Sequence, residues 1–421
     1  MLYILFLFYF LLLSWSIRKG KFFLESDLSV NALNLLFLVH VITGILGTWF
    51  FLNYSAVFDS NVFQQQGIVE YNLLIHHPWE YLTNLFQDNY RSNYSGLMEV
   101  KNSYWNDTRS NVLFKMLSVF NIFSFKSFYI NTLFFVYFIF WGNIALYKVF
   151  RIIFPNCRLT NILTIFLLPS ALLFTSLIHR DGLILLSLSF ISYHIFFGLK
   201  EKHFGFRRIL ILIFYLFTIF ILRNYIVILL FPPLIAWIWA YYKPKYSLII
   251  FIGVMVISSV AFFCIRYFIP ALDFPELVAS RQRSFIALSG NSALNINPLY
   301  ASFRSFMNNM PQAFNHTLLR PYLSEIRSIE YLPFALELII YELLLMIYIF
   351  FRQKKVQYDP FIYFCIFFSL AMMLAIGYTV PFIGAFVRYR SIYFIFLICP
   401  LTALIDWNKF FTTIHIIKKN I

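Results

Sequence analysis

Long apolar runs separated by short polar connections set the pattern of this chain. A helix that crosses a bilayer needs about 20 mostly apolar residues. On that criterion eleven candidates emerge: 1–17, 33–53, 128–150, 160–178, 182–199, 209–224, 225–242, 246–269, 335–351, 361–379 and 391–406. The pattern therefore predicts an all-α, polytopic transmembrane helix bundle of about eleven spans, with 1–421 as a single integral membrane domain. Two long polar segments break the alternation, 54–127 and 270–334. Each is too long for a plain connection and mixes aromatics with polar residues. They are expected to be ordered, as amphipathic helices lying on the membrane over the bundle.

Basic residues fix the expected orientation. With the amino terminus outside, the alternate connections carry Arg18/Lys19/Lys21, Lys148/Arg151/Arg158, Lys200/Lys202/Arg207/Arg208, Lys243/Lys245, Arg352/Lys354/Lys355 and the tail Lys409/Lys418/Lys419. All of them then face the cytoplasm, as the positive-inside tendency requires. Both long polar segments fall on the opposite, extracytoplasmic face, which becomes the expected working surface. The first apolar run has no basic region ahead of it and no small-residue cleavage site, so it reads as a retained span rather than a removable signal.

Composition agrees. Of 421 residues, 61% are hydrophobic and 12% charged, against about a quarter charged in soluble domains. That excludes an ordinary cytosolic enzyme. The net charge of +15 would suggest nucleic acid in a soluble protein, but here it is explained by cytoplasmic helix ends, and no nucleic-acid partner is expected. Cys157, Cys264, Cys365 and Cys399 lie in or beside apolar runs without metal-ligand spacing and read as small core residues. No phosphate-binding glycine loop or dinucleotide fingerprint is present.

Ionisable residues near a membrane are costly and tend to mark function. Asp59 follows the second span on the outer face, where a carboxylate can serve as general base or hold a divalent cation against a phosphate; the plainer alternative is a helix-capping aspartate. His179, Arg180 and Asp181 form a polar outer turn suited to a lipid pyrophosphate and its sugar, or a simple ion pair closing a helical hairpin. Arg223 interrupts an apolar stretch and needs a counter-anion, which a phosphate, Asp181 or Asp59 would supply. Arg281, Arg283, His316, Arg320 and the Arg388-Tyr389-Arg390 triplet at the mouth of the last span complete the outer cations. Guanidinium groups bind phosphate oxygens bidentately, although attraction to anionic lipid headgroups explains any one of them. His76-His77 has no third ligand at metal spacing. Glu337 sits near the outer end of its span, where it could join a site.

The arrangement resembles the membrane glycosyltransferases of the GT-C fold. The resemblance rests on the many spans, on Asp59 soon after a span, and on the segment from Asp59 through Tyr71, Trp105 and Asn111-Val112-Leu113-Phe114 to Ile130-Asn131-Thr132-Leu133 and Arg151. It covers about a third of the chain, and here the aspartate follows the second span rather than the first. It implies that Asp59 is the catalytic carboxylate and that the outer arginines hold the phosphate of a polyprenyl-linked sugar donor. The second outer segment, with His316 and Arg320, and the Arg388-Tyr389-Arg390 mouth resemble polymerases and ligases of the O-antigen type. Both readings share a substrate class, a polyprenyl-linked sugar or glycan, with membrane lipid as the other partner; the lack of an obvious eukaryotic retention signal points to a bacterial inner membrane. A transporter or lipid-linked glycan flippase is the competing class, in which the same charges line a path; an assembly protein without chemistry is the third.

Overall fold

A computed structural model describes residues 1–54, 59–84, 104–288, 292–326, 329–353 and 358–419. Lys354 and Lys355 of the sequence reading lie outside them. Among the described residues the chain is α-helical without strands. In order the helices are α1 (Leu2–Lys19), α2 (Lys21–Leu24), α3 (Val30–Tyr54), α4 (Asp59–His76), α5 (Pro78–Thr83), α6 (Tyr104–Ser124) and α7 (Phe128–Ile153). Then come α8 (Arg158–Phe166), α9 (Pro169–Ser176), α10 (Arg180–Glu201), α11 (Phe206–Leu222), α12 (Asn224–Tyr242) and α13 (Ser247–Cys264). The chain closes with α14 (Phe274–Ile286), α15 (Phe303–Phe314), α16 (Leu332–Phe351), α17 (Pro360–Thr379), α18 (Ile383–Ala403) and α19 (Trp407–Lys419).

Nine of these are long and apolar enough to cross a membrane: α1, α3, α7, α10, α12, α13, α16, α17 and α18. They make the chain a multi-pass integral membrane protein. The other two expected spans differ for local reasons. Segment 160–178 is broken before Pro169 into α8 and α9, which are bent by 49°; proline lacks the N–H that would continue the ladder. Helix α11 has 17 residues, about 26 Å at 1.5 Å per residue, slightly less than the roughly 30 Å hydrocarbon core. The last span also begins earlier than its apolar run, at Ile383, so Arg388 and Arg390 lie inside α18 and not at its mouth.

The chain forms two compact units, 1–149 with 172–227 and 150–171 with 228–421. In unit 1, α1 exposes Leu7, Phe8, Leu11 and Trp15, the surface a lipid tail covers at no hydrophobic cost, whereas α10 is largely buried. The described part of the first long polar segment supplies α4, α5 and α6. Their rotation is fixed by buried amides: Asn131 Nδ2 on α7 donates to Gln64 Oε1 (2.9 Å) and Asn121 Oδ1 (2.7 Å), joining α4, α6 and α7.

Unit 2 gathers α17 and α18 around buried Phe361, Phe364, Phe368 and Tyr393, with Trp237 of α12 against Phe361 (ring centroids 4.9 Å apart). The second long segment contributes α14 and α15, each capped by a side chain that accepts from the backbone: Asp273 from Glu276 N and Ser302 from Ser305 N. Gln282 on α14 donates to Tyr378 O (2.9 Å) and accepts from Leu299 N (2.7 Å), so the segment is tied to α17. Gly377 is where α17 meets α15. A Cβ there would overlap the backbone of Ala313, and backbone on both sides leaves little room to yield. Gly377→Ala is therefore expected to cost about 1–3 kcal/mol or more, read as a lower melting temperature in detergent; unchanged melting would contradict the close approach.

Candidate functional site

Residues 177–179 of unit 1 join α9 to α10, and the last of them sets the site. His179 is extended (φ −136°, ψ 155°) immediately ahead of α10, which puts Arg180 and Asp181 in the first helical turn. A carboxylate is favoured there by the backbone N–H groups and the helix dipole. Asp181 is fully buried, and its Oδ1 lies 2.7 Å from Arg223 Nη2. The counter-anion that the interruption at Arg223 demanded is thus a carboxylate of the same unit. Gly182 follows because a Cβ would meet the Phe135 ring at 2.8 Å and Thr175 O at 3.0 Å.

Arg180 makes a different set of contacts. Its Nη2 donates to Ser110 Oγ on α6 (2.7 Å), and its guanidinium lies over the ring of Phe63 on α4, 5.3 Å from the centroid. His179 meets the same ring edge-on at 6.1 Å. Asp59 is the first residue of α4 and is half-buried. Phe63 follows it by one turn, and residues four apart share a helix face. The carboxylate therefore lies at the end of α4 whose neighbouring ring carries both the imidazole and the guanidinium. An anion, a planar cation and an imidazole so disposed can take a proton from a hydroxyl and meet negative charge on an oxygen.

Unit 2 holds a second polar cluster. Glu337 on α16 accepts from Ser170 N (3.2 Å), Ser170 Oγ (3.0 Å) and Tyr341 OH (2.5 Å). Arg390 is 2% exposed and donates through Nη1 to Thr317 O (2.8 Å) and Arg320 O (2.5 Å). Those carbonyls lie within and just after the π-helical turn Asn315–Leu319, which carries His316; such turns are frequent at functional positions. Arg320 pairs with Glu325 (Nε to Oε1 3.4 Å). Arg388 lies over the Tyr389 ring at 5.1 Å. Arg281 and Arg283 make their contacts within α14 among the described residues, with Phe285 and Glu276 respectively.

Burial holds the His316 imidazole neutral, with its pKa pushed down to about 4 from 6.5, and the charge of Arg320 adds to the effect. The unfolded chain takes up a proton below about pH 6.5 that the folded chain refuses until about pH 4. The contribution of neutral His316 to stability is therefore complete above pH 6.5 and is lost as the pH falls through that window, by about 1.4 kcal/mol per pH unit. Compared with His316→Leu, the wild type is expected to lose melting temperature more steeply between pH 6.5 and 4. Parallel curves would contradict a buried neutral imidazole.

In unit 1 His179 and Arg180 thus meet at Phe63 and Asp181 pairs with Arg223, while Asp59 lies one helical turn before Phe63 on α4; His316, Arg320 and Arg390 come together in unit 2. Phe63, Ser110, Ser170 and Tyr341, which hold these groups, carry no charge that would mark them in the sequence. Among the described residues no three His, Cys, Asp or Glu side chains come together to hold a metal ion. Comparison with protein-family models, curated proteins and solved structures finds no match.

Proposed function

We propose that the chain is a membrane glycosyltransferase that takes sugar from a polyprenyl phosphate or pyrophosphate on the extracytoplasmic face of a bacterial inner membrane, for cell-surface polysaccharide or glycoconjugate synthesis. The observation that carries the reading is that His179 and Arg180 both meet Phe63, one helical turn along α4 from Asp59.

In the proposed reaction an acceptor hydroxyl gives its proton to the Asp59 carboxylate as its oxygen attacks the anomeric carbon. The bond from that carbon to the phosphate oxygen breaks, the configuration inverts, and the polyprenyl phosphate leaves with the electron pair. Charge grows on the departing oxygen, where Arg180 supplies a planar cation. A glycan polymerase of the same substrate class is the second reading, favoured by the Arg390 clamp on the turn that carries His316 and Arg320.

The test is transfer by the purified protein in lipid vesicles, from short-chain polyprenyl phosphates carrying labelled glucose, galactose or N-acetylglucosamine to a saccharide acceptor. Label is expected to move to the acceptor from at least one donor with release of polyprenyl phosphate. Label that stays on every lipid would contradict the proposal.

A further inference from the structure

An open groove of about 570 Å³ lies in unit 1 along the second half of α4, closed by α5 and α6. Its lining alternates apolar surface from Val69 and Leu73 with polar groups: Gln66, Asn72, His76, His77 and Asn111 supply amides and imidazoles, and Glu70 and Glu80 carboxylates. The floor is braced. Lys115 Nζ donates to Glu70 Oε2 (2.7 Å), Asn84 Oδ1 (2.5 Å) and Tyr81 O, and Asn84 Nδ2 donates to Glu70 as well (3.1 Å). Burial lowers the pKa of Lys115 while Glu70 opposes the shift, so the one cation of the floor is already engaged by a carboxylate.

Two features connect this groove to the Asp59 cluster. Asp59, Gln66 and Leu73 recur every seven residues, two helical turns, and so share one face of α4. The groove begins about 10 Å along that face from Asp59, at 1.5 Å per residue. On α6, Asn111 lines the groove while its neighbour Ser110 holds Arg180.

We infer that the groove binds the acceptor as a neutral oligosaccharide, through its hydroxyl groups, and leads its terminal ring to Asp59. This rests on the glycosyltransferase reading. Amides, imidazoles and a carboxylate both donate to and accept from hydroxyls. Among the described lining residues a phosphate or uronic acid meets the carboxylates of Glu70 and Glu80 and no lysine or arginine, which disfavours it. A linked row of sugar rings is also the kind of molecule that spans the distance along α4.

The experiment is binding of neutral tetrasaccharides (maltotetraose, cellotetraose, chitotetraose) and of a tetragalacturonate to the full chain in lipid nanodiscs, by saturation-transfer NMR. Wild type is expected to bind at least one neutral tetrasaccharide in preference to the acidic one. Asn111→Trp, which fills the groove, and Glu80→Gln should each weaken binding at least tenfold while melting like the wild type, and Asp59→Asn should bind as the wild type does. His76→Ala provides a milder variant with a smaller loss in the same direction. Absence of neutral binding, preference for the acidic chain, or unchanged binding in the well-folded groove variants would overturn the inference. Binding that depends on the groove, in a protein that transfers no sugar, would leave the groove standing and remove the transferase reading; Asp59-dependent transfer without groove binding would do the reverse.

Discussion

Asp181→Ala is expected to lower the stability of the protein by about 3–5 kcal/mol, the usual consequence of leaving one member of a buried ion pair behind. The carboxylate is fully buried, and the Arg223 side chain is 10% exposed in the partnership. Neither has water to fall back on. Changing both, Asp181→Leu with Arg223→Leu, removes the two charges together and is expected to recover most of the loss, because replacing a buried pair by apolar groups is often neutral or stabilising. Thermal melting in detergent reads both arms, and a single variant that melts like the wild type would contradict the pair. The same double variant also separates two roles for Arg223. If the arginine only anchors the first turn of α10, sugar transfer returns with stability, since Arg180 keeps its contacts with Ser110 and Phe63. If transfer stays lost in a stable double variant, Arg223 has a part in handling the phosphate.

The second large effect is on the reaction. Asp59→Asn is expected to reduce sugar transfer by roughly 10²–10⁴, the range over which a positioned general base acts, with little change in melting temperature. Asparagine keeps the size and shape of aspartate while the proton acceptor disappears, and the lost charge in the first turn of α4 costs at most about 0.3–1 kcal/mol. Arg180→Ala is expected to slow transfer too, but it also removes the packing on Phe63, so the asparagine variant gives the cleaner answer. Transfer at the wild-type rate in Asp59→Asn would remove this residue from the chemistry.

The spans were legible because a membrane helix announces itself by apolar residues over a fixed length, with no reference to what it packs against. That the described part of the first polar segment is ordered as helices was legible from its mixture of aromatic and polar residues, unlike that of a Gly/Ser linker. What the sequence hid was every contact made over distance. Ser170 meets Glu337 across 167 positions, and Arg180 meets Ser110 across 70; neither serine has any local feature that marks it. Arg390 was misplaced to a helix mouth because an arginine in an apolar run looks like a boundary. Backbone carbonyls of Thr317 and Arg320 satisfy it inside α18 instead. The break before Pro169 was visible as a proline, but the bend it produces depends on how the freed backbone is packed. The site was legible as residue types, Asp59 and the 179–181 triplet, and illegible as an arrangement, because Phe63, the ring that His179 and Arg180 share, carries no charge to draw attention.

The central claim is that the chain acts on a lipid-linked sugar and does so through Asp59. Its most direct measurement is mass-spectrometric profiling of lipid-linked glycans in a deletion strain complemented with wild type or with Asp59→Asn. The account predicts that an unextended or unmodified lipid-linked intermediate accumulates in the deletion and in the Asn strain and disappears with the wild type. An unchanged profile in the deletion would contradict it and turn attention to transport or assembly.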